Sequence, residues 1–215
     1  MLQTELTITA DDVQLPAELV TPDAIEGIIA FAHGSGSGRR SPRNTWVAEQ
    51  LHAANFGTLL FDLLSAEEAR IDSISSAYRF DAPFLGGRLV NAVDWLTARP
   101  EAADQPIGVF GASTGAAAAL IAAARRPEAV RAVVSRGGRP DLAAPLLGGV
   151  SAPVLLIVGS RDQEVLKLNR QAQAALAAAH SELREVPGAG HLFEDPGAMD
   201  KVVSHTVDWF TRHLR

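Results

Sequence analysis

Hydrophobic residues are grouped along the chain in two alternating patterns. Short unbroken apolar runs, typical of strands buried on both faces, cover residues 27–32, 57–61, 106–110, 129–135 and 153–158. Longer stretches with apolar residues at helical spacing, or rich in alanine, cover residues 46–54, 81–98, 116–126, 165–179 and 199–214. Shorter strands are predicted at residues 5–10, 15–20 and 183–186. This alternation predicts an α/β fold with a doubly wound, mostly parallel sheet and helices on both faces.

Length and composition fit a single folded unit. The chain has 215 residues, of which 47% are hydrophobic, and a chain of this length can bury a sizeable core without disulfides. No internal repeat, low-complexity linker or change of composition divides the sequence. We therefore expect one domain, residues 1–215, without a large cap domain.

Charge and cysteine content exclude several classes of function. The formal net charge of −6 argues against nucleic acid as the main partner. No apolar run approaches the length of a membrane span, and no signal peptide is visible, so we expect a cytoplasmic protein without a membrane partner. The absence of cysteine excludes disulfides, thiolate metal sites and a cysteine nucleophile. No set of metal ligands is visible, no cofactor is expected, and nothing indicates an oligomeric state.

The stretch from residue 111 to residue 115, G-A-S-T-G, has the G-x-S-x-G spacing of a nucleophile elbow. It lies between the predicted strand at 106–110 and the predicted helix at 116–126, which is the context that such a turn requires. Glycine at both ends removes Cβ atoms that would collide where strand and helix crowd together. We therefore expect a strained turn that exposes the Ser113 hydroxyl, although an ordinary glycine-rich turn has the same composition.

Three further clusters follow predicted strands. They are His33-Gly34-Ser35-Gly36-Ser37-Gly38, Gly159-Ser160-Arg161-Asp162 and Gly188-Ala189-Gly190-His191. The carboxyl ends of parallel strands meet at one edge of a sheet, so these clusters are expected to lie near the turn at Ser113. Along the chain, the candidate nucleophile, acid and base therefore come in the order Ser113, Asp162, His191.

These residue types match what nucleophilic catalysis requires. A serine hydroxyl is a weak nucleophile, and His191 is the base that would accept its proton and return it to the leaving group. Asp162 would fix the histidine tautomer and stabilise the imidazolium ion. The oxyanion of a tetrahedral intermediate needs fixed donors, and the backbone N–H groups of Ser35 and Thr114 are the candidates for this oxyanion hole.

Other interpretations of these clusters stay open at the level of sequence. The glycine-rich loop after His33 could be a phosphate cradle, but it lacks the G-K-[ST] ending and the dinucleotide-binding spacing. Asp162 is also placed to be the N-cap of the helix that follows it. Asp62 and Asp141 follow predicted strands as well and compete for the role of the acid. Asp162 is preferred because it follows the penultimate strand.

Together, these motifs resemble those of the α/β-hydrolase superfamily, and the chain is similar to its compact dienelactone hydrolase-like group over nearly its whole length. The resemblance implies an α/β-hydrolase fold and an enzyme that hydrolyses small carboxylic esters, lactones or thioesters through an acyl-enzyme on Ser113. Its partner would be a small-molecule ester. Dienelactone hydrolases proper carry a cysteine nucleophile, so the serine argues against dienelactone itself as substrate. The alternatives are another triad acyl-transfer enzyme, of the thioesterase, peptidase or perhydrolase type, and a non-catalytic binding protein on this fold.

Substrate recognition is the least specified property. Residues 63–80 and 135–140 are expected to border the mouth of the site, and neither segment is long enough to form a large lid. An open, shallow pocket for small acyl groups is therefore predicted. Arg39 and Arg136 are candidates for binding a substrate carboxylate or phosphate. The alternative for each is an arginine that is solvated or paired within the protein.

Overall fold

The computed structural model describes residues 1–100, 102 and 104–215. The strands are β1 (Leu2–Ala10), β2 (Val13–Thr21), β3 (Ile28–Ala32), β4 (Gly57–Phe61), β5 (Ile107–Ala112), β6 (Val130–Arg136), β7 (Val154–Gly159) and β8 (Ser181–Val186). The helices are α1 (Pro42–Ala53), α2 (Ala66–Ser75), α3 (Ala82–Thr97), α4 (Thr114–Arg125), α5 (Gln163–Ala175) and α6 (Ala198–Leu214), and a 3₁₀ segment spans Pro140–Gly149.

The strands form one sheet in the order β1-β2-β4-β3-β5-β6-β7-β8. β1 pairs antiparallel with β2, which in turn runs antiparallel to β4. The remaining neighbours are parallel, so the carboxyl ends of β3 to β8 lie at the same edge of the sheet. This topology confirms the doubly wound, mostly parallel α/β fold expected from the sequence.

Apolar side chains pack on both faces of the sheet. On one face, α1 and α6 contribute Val47, Leu51, Val202 and Phe210, among others. On the other face, α3 and α4 pack over a larger cluster, and α4 presents a run of buried alanines that lets it approach the sheet closely. Full burial of a large apolar side chain stabilises a fold by about 1.5–3 kcal/mol. Among the described residues, no helix has both the length and the apolar character needed to cross a membrane.

Most elements lie within a few residues of the positions predicted from the sequence. α1 begins at Pro42 rather than at residue 46, because proline is tolerated in the first helical turn, where its missing N–H removes no hydrogen bond. α5 ends at Ala175 rather than at residue 179, because the backbone leaves the helical region at Leu176, whose side chain is buried in the core.

Two elements were not predicted from the sequence. α2 buries only Asp72, so it lacks the apolar periodicity by which helices are recognised. Its signal is instead a capping box, in which the Ser65 hydroxyl accepts from the Glu68 N–H and the Glu68 carboxylate accepts from the Ser65 N–H. The 3₁₀ segment contains Pro145, which is incompatible with the interior of a regular α-helix.

Candidate active site

Ser113 occupies the turn between β5 and α4, with backbone angles of φ 53° and ψ −119°. This positive φ is a strained conformation for a residue that carries a side chain. The neighbouring glycines are sterically required, because a Cβ at Gly111 would overlap the Ala116 backbone and a Cβ at Gly115 would overlap the Ala32 carbonyl oxygen. The turn therefore has the tight strand-to-helix geometry that the G-x-S-x-G spacing predicts.

His191 and Asp162 lie beside Ser113. Ser113 Oγ is 3.3 Å from His191 Nε2, and His191 Nδ1 is 2.6 Å from Asp162 Oδ2. The structure thus brings together the three residues that the sequence analysis selected as nucleophile, acid and base. The side chain of His191 is 39% exposed and that of Asp162 is 15% exposed, so Asp162 is the more shielded of the two.

Asp162 makes both of the contacts that were alternatives from the sequence, the N-cap of a helix and the contact with His191. Its Oδ1 accepts a hydrogen bond of 3.4 Å from the Val165 N–H at the start of α5, while its Oδ2 faces His191. Capping uses one carboxylate oxygen and leaves the other free for the histidine. The helix start therefore orients the carboxylate toward His191 and does not compete for it.

The two other candidate acids are engaged elsewhere. Asp62 accepts hydrogen bonds from the backbone N–H and the guanidinium of Arg39, at 2.7 and 3.0 Å. Asp141 forms a bidentate pair with Arg139, with both N–O distances at 2.8 Å. In the part of the chain that the structure describes, no group of three or more histidine, aspartate or glutamate side chains is arranged to hold a metal ion.

The loops that carry Asp162 and His191 are joined by hydrogen bonds. The Ser160 N–H donates to the Val186 carbonyl at 3.0 Å, and the Gly188 N–H donates to the Ser160 hydroxyl at 2.8 Å. These contacts connect the end of β7 to the end of β8. Asp162 and His191 are consequently positioned as a pair.

The loop after β3 packs directly against Ser113. Gly34 lies so close that a Cβ at this position would be 3.3 Å from the Ser113 Cβ. Ser35 and Thr114, the candidate residues of the oxyanion hole, border the same cavity. Thr114 begins α4, and the N–H groups of a first helical turn have no partner within the helix and carry a partial positive charge. The two backbone N–H groups can therefore serve a developing negative charge near Ser113.

His33 ties this loop to the segment that follows β4. Its Nε2 accepts a hydrogen bond of 3.0 Å from the Leu63 N–H, so its proton is on Nδ1, which lies 3.0 Å from the Gly34 carbonyl oxygen. Burial lowers the pKa of His33, and the smaller raising effects of the Gly34 hydrogen bond and of Asp62 do not reverse it. This contact could not be predicted from the sequence, because the partner of His33 is a backbone group 30 residues away.

Two cavities flank the loop that carries Ser35. One, of about 230 Å³, lies beside α2 and is lined by apolar side chains, including those of Leu63 and Leu85, and by polar ones, including those of Asp72 and Arg79. The other, of about 180 Å³, contains Ser113 and His191. Both volumes are below the range of roughly 300–1,000 Å³ common for small-molecule sites, so the arrangement suits a small substrate.

The two arginines that are candidates for substrate binding have different surroundings in the structure. Arg136 lines the cavity at Ser113, whereas Arg39 does not line it and pairs with Asp62 and Glu5. Arg39 is therefore the internally paired arginine that the sequence analysis gave as the alternative. The segment 135–140 reaches the site through Arg136.

Arg43 also lines this cavity. Arg136 lies over the Phe110 ring, with its guanidinium carbon 5.9 Å from the ring centroid. Burial lowers the pKa of Arg136 to about 10, and the positive charge of Arg43 acts in the same direction as a smaller cause. Arg136 therefore remains a cation at neutral pH.

Comparisons with known structures agree with this architecture. A crystal structure of a dienelactone hydrolase from Anabaena variabilis is 49% identical, and the match covers 100% of this chain and 99% of that chain with a TM-score of 0.97. The structure of Est1E from Butyrivibrio proteoclasticus with bound ferulic acid is 15% identical, and the match covers 97% of this chain and 99% of that chain with a TM-score of 0.81. The second likeness shows the shared fold alone.

Sequence comparisons identify the family to which this chain belongs. A Mycobacterium tuberculosis protein with the provisional name phosphoribosyl transferase, found in two strains, is 52% identical over 210 residues. The match covers 98% of this chain but 46% of that protein, so the chain spans less than half the length of the curated relatives it matches. The profile of the dienelactone hydrolase family matches residues 44–214. With this match over most of its length and the near-complete overlap with the Anabaena structure, the chain belongs to the dienelactone hydrolase family.

Proposed function

We propose that this chain is a serine hydrolase that cleaves small carboxylic esters, lactones or thioesters through an acyl-enzyme on Ser113. The observation that carries the proposal is the series of contacts from Ser113 Oγ to His191 Nε2 and from His191 Nδ1 to Asp162. Membership of the dienelactone hydrolase family supports hydrolysis. The chain contains no cysteine that could replace Ser113 as the nucleophile.

In the first step, Ser113 Oγ attacks the carbonyl carbon of the substrate. His191 Nε2 accepts the hydroxyl proton as the new C–O bond forms, and Asp162 stabilises the resulting imidazolium ion. The Oγ–Nε2 distance of 3.3 Å is slightly long, as is common for such pairs before substrate is bound. The tetrahedral intermediate then collapses, and His191 donates the proton to the departing alcohol or thiol.

The backbone N–H groups of Ser35 and Thr114 stabilise the oxyanion of the tetrahedral intermediate. Loss of one such donor typically raises the activation barrier by about 2.7–4 kcal/mol. In the second half of the reaction, water attacks the acyl group while His191 again accepts a proton. Collapse of this second intermediate releases the acid and returns the proton to Ser113.

Replacement of the nucleophile tests the proposal. We expect Ser113→Ala to lose roughly a millionfold in turnover of p-nitrophenyl acetate, because removal of a triad serine disables the whole unit. Ser204→Ala removes an exposed hydroxyl on α6 and is the matched control, for which turnover should be unchanged. Wild-type turnover by Ser113→Ala would refute the assignment of the nucleophile.

A substrate panel and a covalent probe separate this function from the alternatives. Among p-nitrophenyl esters, acyl-thioesters and lactones, we expect short acyl groups to be preferred, because the cavities at the site are only about 180 and 230 Å³. An optimum at long acyl chains would contradict this expectation. A fluorophosphonate should label Ser113, since labelling requires an activated serine. Without labelling, a non-catalytic binding protein would explain the fold better.

A further inference from the structure

Arg136 is a buried cation that has no hydrogen-bond or ion-pair partner for its side chain among the residues that the structure describes. The residue is 8% exposed, and its Nη1 atom is buried without a hydrogen-bond partner. Within the described residues, the charged group that acts on it is Arg43, which is a second cation. Buried charges in proteins are normally paired and hydrogen-bonded, so this guanidinium lacks a counter-charge that a ligand could supply.

The surroundings of Arg136 suit an anion. Its cavity also contains Ser113 and His191, and Arg43 enters it from the first turn of α1. None of the described residues that line this cavity is acidic. The nearby acid is Glu194, whose exposed carboxylate lies 3.7 Å from Arg43 and outside the lining of the cavity. The cavity is therefore cationic at neutral pH although the chain as a whole is acidic.

The backbone fixes Arg136 next to the candidate nucleophile. Arg136 pairs with Ala112 in the register of β5 and β6, and its carbonyl accepts the Ser113 N–H at 3.0 Å. Its guanidinium packs over the Phe110 ring. Because the side chain is held at the sheet edge and shielded from bulk water, an anion that pairs with it has to enter the cavity at Ser113.

We propose that the substrate carries a compact anionic group, a carboxylate or a phosphate, that Arg136 binds inside the Ser113 cavity. This inference rests on the proposed function and specifies its substrate class. The planar guanidinium can donate two parallel hydrogen bonds to two oxygens of such a group, and Arg43 adds a second positive charge. The cavity beside α2 then receives the rest of the substrate against the side chains of Leu63 and Leu85. The scissile carbonyl consequently lies between the two cavities, next to Ser35.

Matched pairs of substrates test the proposal by kinetics. Mono(4-nitrophenyl) succinate and its methyl ester differ in a charge on the acyl half, and 4-acetoxybenzoate and its methyl ester differ in a charge on the alcohol half. We expect wild-type kcat/KM to favour the charged member of at least one pair. Arg136→Gln should lower kcat/KM for that member by about 10- to 100-fold, the worth of a charged hydrogen bond, and leave the neutral member nearly unchanged.

Two further variants control this experiment. Arg136→Lys retains the positive charge but lacks the planar guanidinium that can donate two parallel hydrogen bonds. It should recover part of the kcat/KM that Arg136→Gln loses. Arg131→Gln removes an exposed arginine of the same strand and should change neither member of a pair. Equal losses on charged and neutral substrates in Arg136→Gln would assign Arg136 a structural role only, and the proposal would be overturned. No preference for either charged substrate in the wild type would overturn it as well.

Anion binding by Ser113→Ala separates this inference from the proposed function. Ligands that bind the folded state raise the melting temperature, so inorganic phosphate or succinate, at constant ionic strength, should raise that of Ser113→Ala. The larger shift identifies phosphate or carboxylate as the preferred group, and Arg136→Gln in this background should abolish it. No shift, or a shift that survives Arg136→Gln, refutes the anion site. Esterase activity that survives in Ser113→Ala refutes the proposed function instead and leaves the anion site intact.

Discussion

His191 Nδ1 lies 2.6 Å from Asp162 Oδ2, while Oδ1 of the same carboxylate caps α5. One side chain thus links the orientation of the candidate base to the start of a helix. Because asparagine is about as good an N-cap as aspartate, a single substitution can separate these two roles.

We expect Asp162→Asn to retain its fold and to lose roughly 10⁴-fold in turnover, because the amide would hold His191 in the wrong tautomer. The measurements are kcat for p-nitrophenyl acetate and the melting temperature by circular dichroism. Asp141→Asn, which changes an acid paired with Arg139, is the control and should keep most of the activity. An inactive Asp141→Asn beside an active Asp162→Asn would move the acid to the end of β6.

The backbone conformation of Ser113 predicts that the serine side chain lowers the stability of the fold although activity requires it. Glycine adopts φ 53° without steric cost, whereas alanine keeps the strain that serine has there. We expect Ser113→Gly and Ser113→Ala both to be inactive, and Ser113→Gly to be the more stable by about 1 kcal/mol. Urea denaturation of the two variants measures this difference in the free energy of unfolding. A higher stability of Ser113→Ala would show that the turn is not strained in solution.

Gly115 predicts a steric coupling between the turn that carries Ser113 and the loop after β3. A Cβ at Gly115 would overlap the carbonyl oxygens of Ala32 and His33, so Gly115→Ala should push that loop away and destabilise the fold by about 1–3 kcal/mol. The catalytic activity of Gly115→Ala should decrease as well. The control is Gly87→Ala in α3, where a Cβ meets no atom within 4 Å and alanine should stabilise the helix slightly. Wild-type stability of Gly115→Ala would contradict the packing described.

The lowered pKa values of four histidines predict how the free energy of unfolding depends on pH. Burial lowers the pKa of His33, and it also lowers the pKa values of His52, His205 and His213. The unfolded chain, with histidine pKa values near 6.5, therefore binds protons before the folded chain does. The free energy of unfolding should consequently decrease as the pH falls from about 7.5 to about 5.5.

Urea denaturation across this pH range measures the effect, and two variants locate it. His33→Asn should flatten the dependence more than His52→Gln, because His33 is buried whereas His52 is half-buried. Only the slope against pH is compared, so a general loss of stability in either variant does not affect the conclusion. A free energy of unfolding that stays constant or rises on acidification would contradict the burial of His33.

The sheet and the candidate triad could be predicted because both depend on local pattern. Buried parallel strands are continuous apolar runs, and their carboxyl ends converge at one edge whatever their detailed packing. The positions of Ser113, Asp162 and His191 follow from that convergence. α2 escaped prediction because its side chains are largely exposed, so a capping box at Ser65 was its only strong signal in the sequence.

The difference between Arg39 and Arg136 could not be predicted. Arg136 is the last residue of β6 and Arg39 lies in the loop after β3, and neither position in the sequence shows whether the arginine is paired within the protein. Arg39 is neutralised by Asp62, 23 residues away, and by Glu5, 34 residues away. Arg136 lies over Phe110 and is paired with no acid in the part of the chain that the structure describes. Such pairing is decided by tertiary proximity, which a pattern of residue types does not contain.

The hydrogen bonds between the ends of β7 and β8 imply that the loops after these two strands are more rigid than loops usually are. Loop amides usually exchange with solvent deuterium quickly, because loops open at little cost in free energy. Here the N–H groups of Ser160 and Gly188 each donate across the two loops, so both should exchange as slowly as amides of the sheet. The pair of Asp162 and His191 would then move as one body relative to Ser113. Thermal opening would lengthen the contact between His191 and Ser113 before it disturbs the contact between His191 and Asp162.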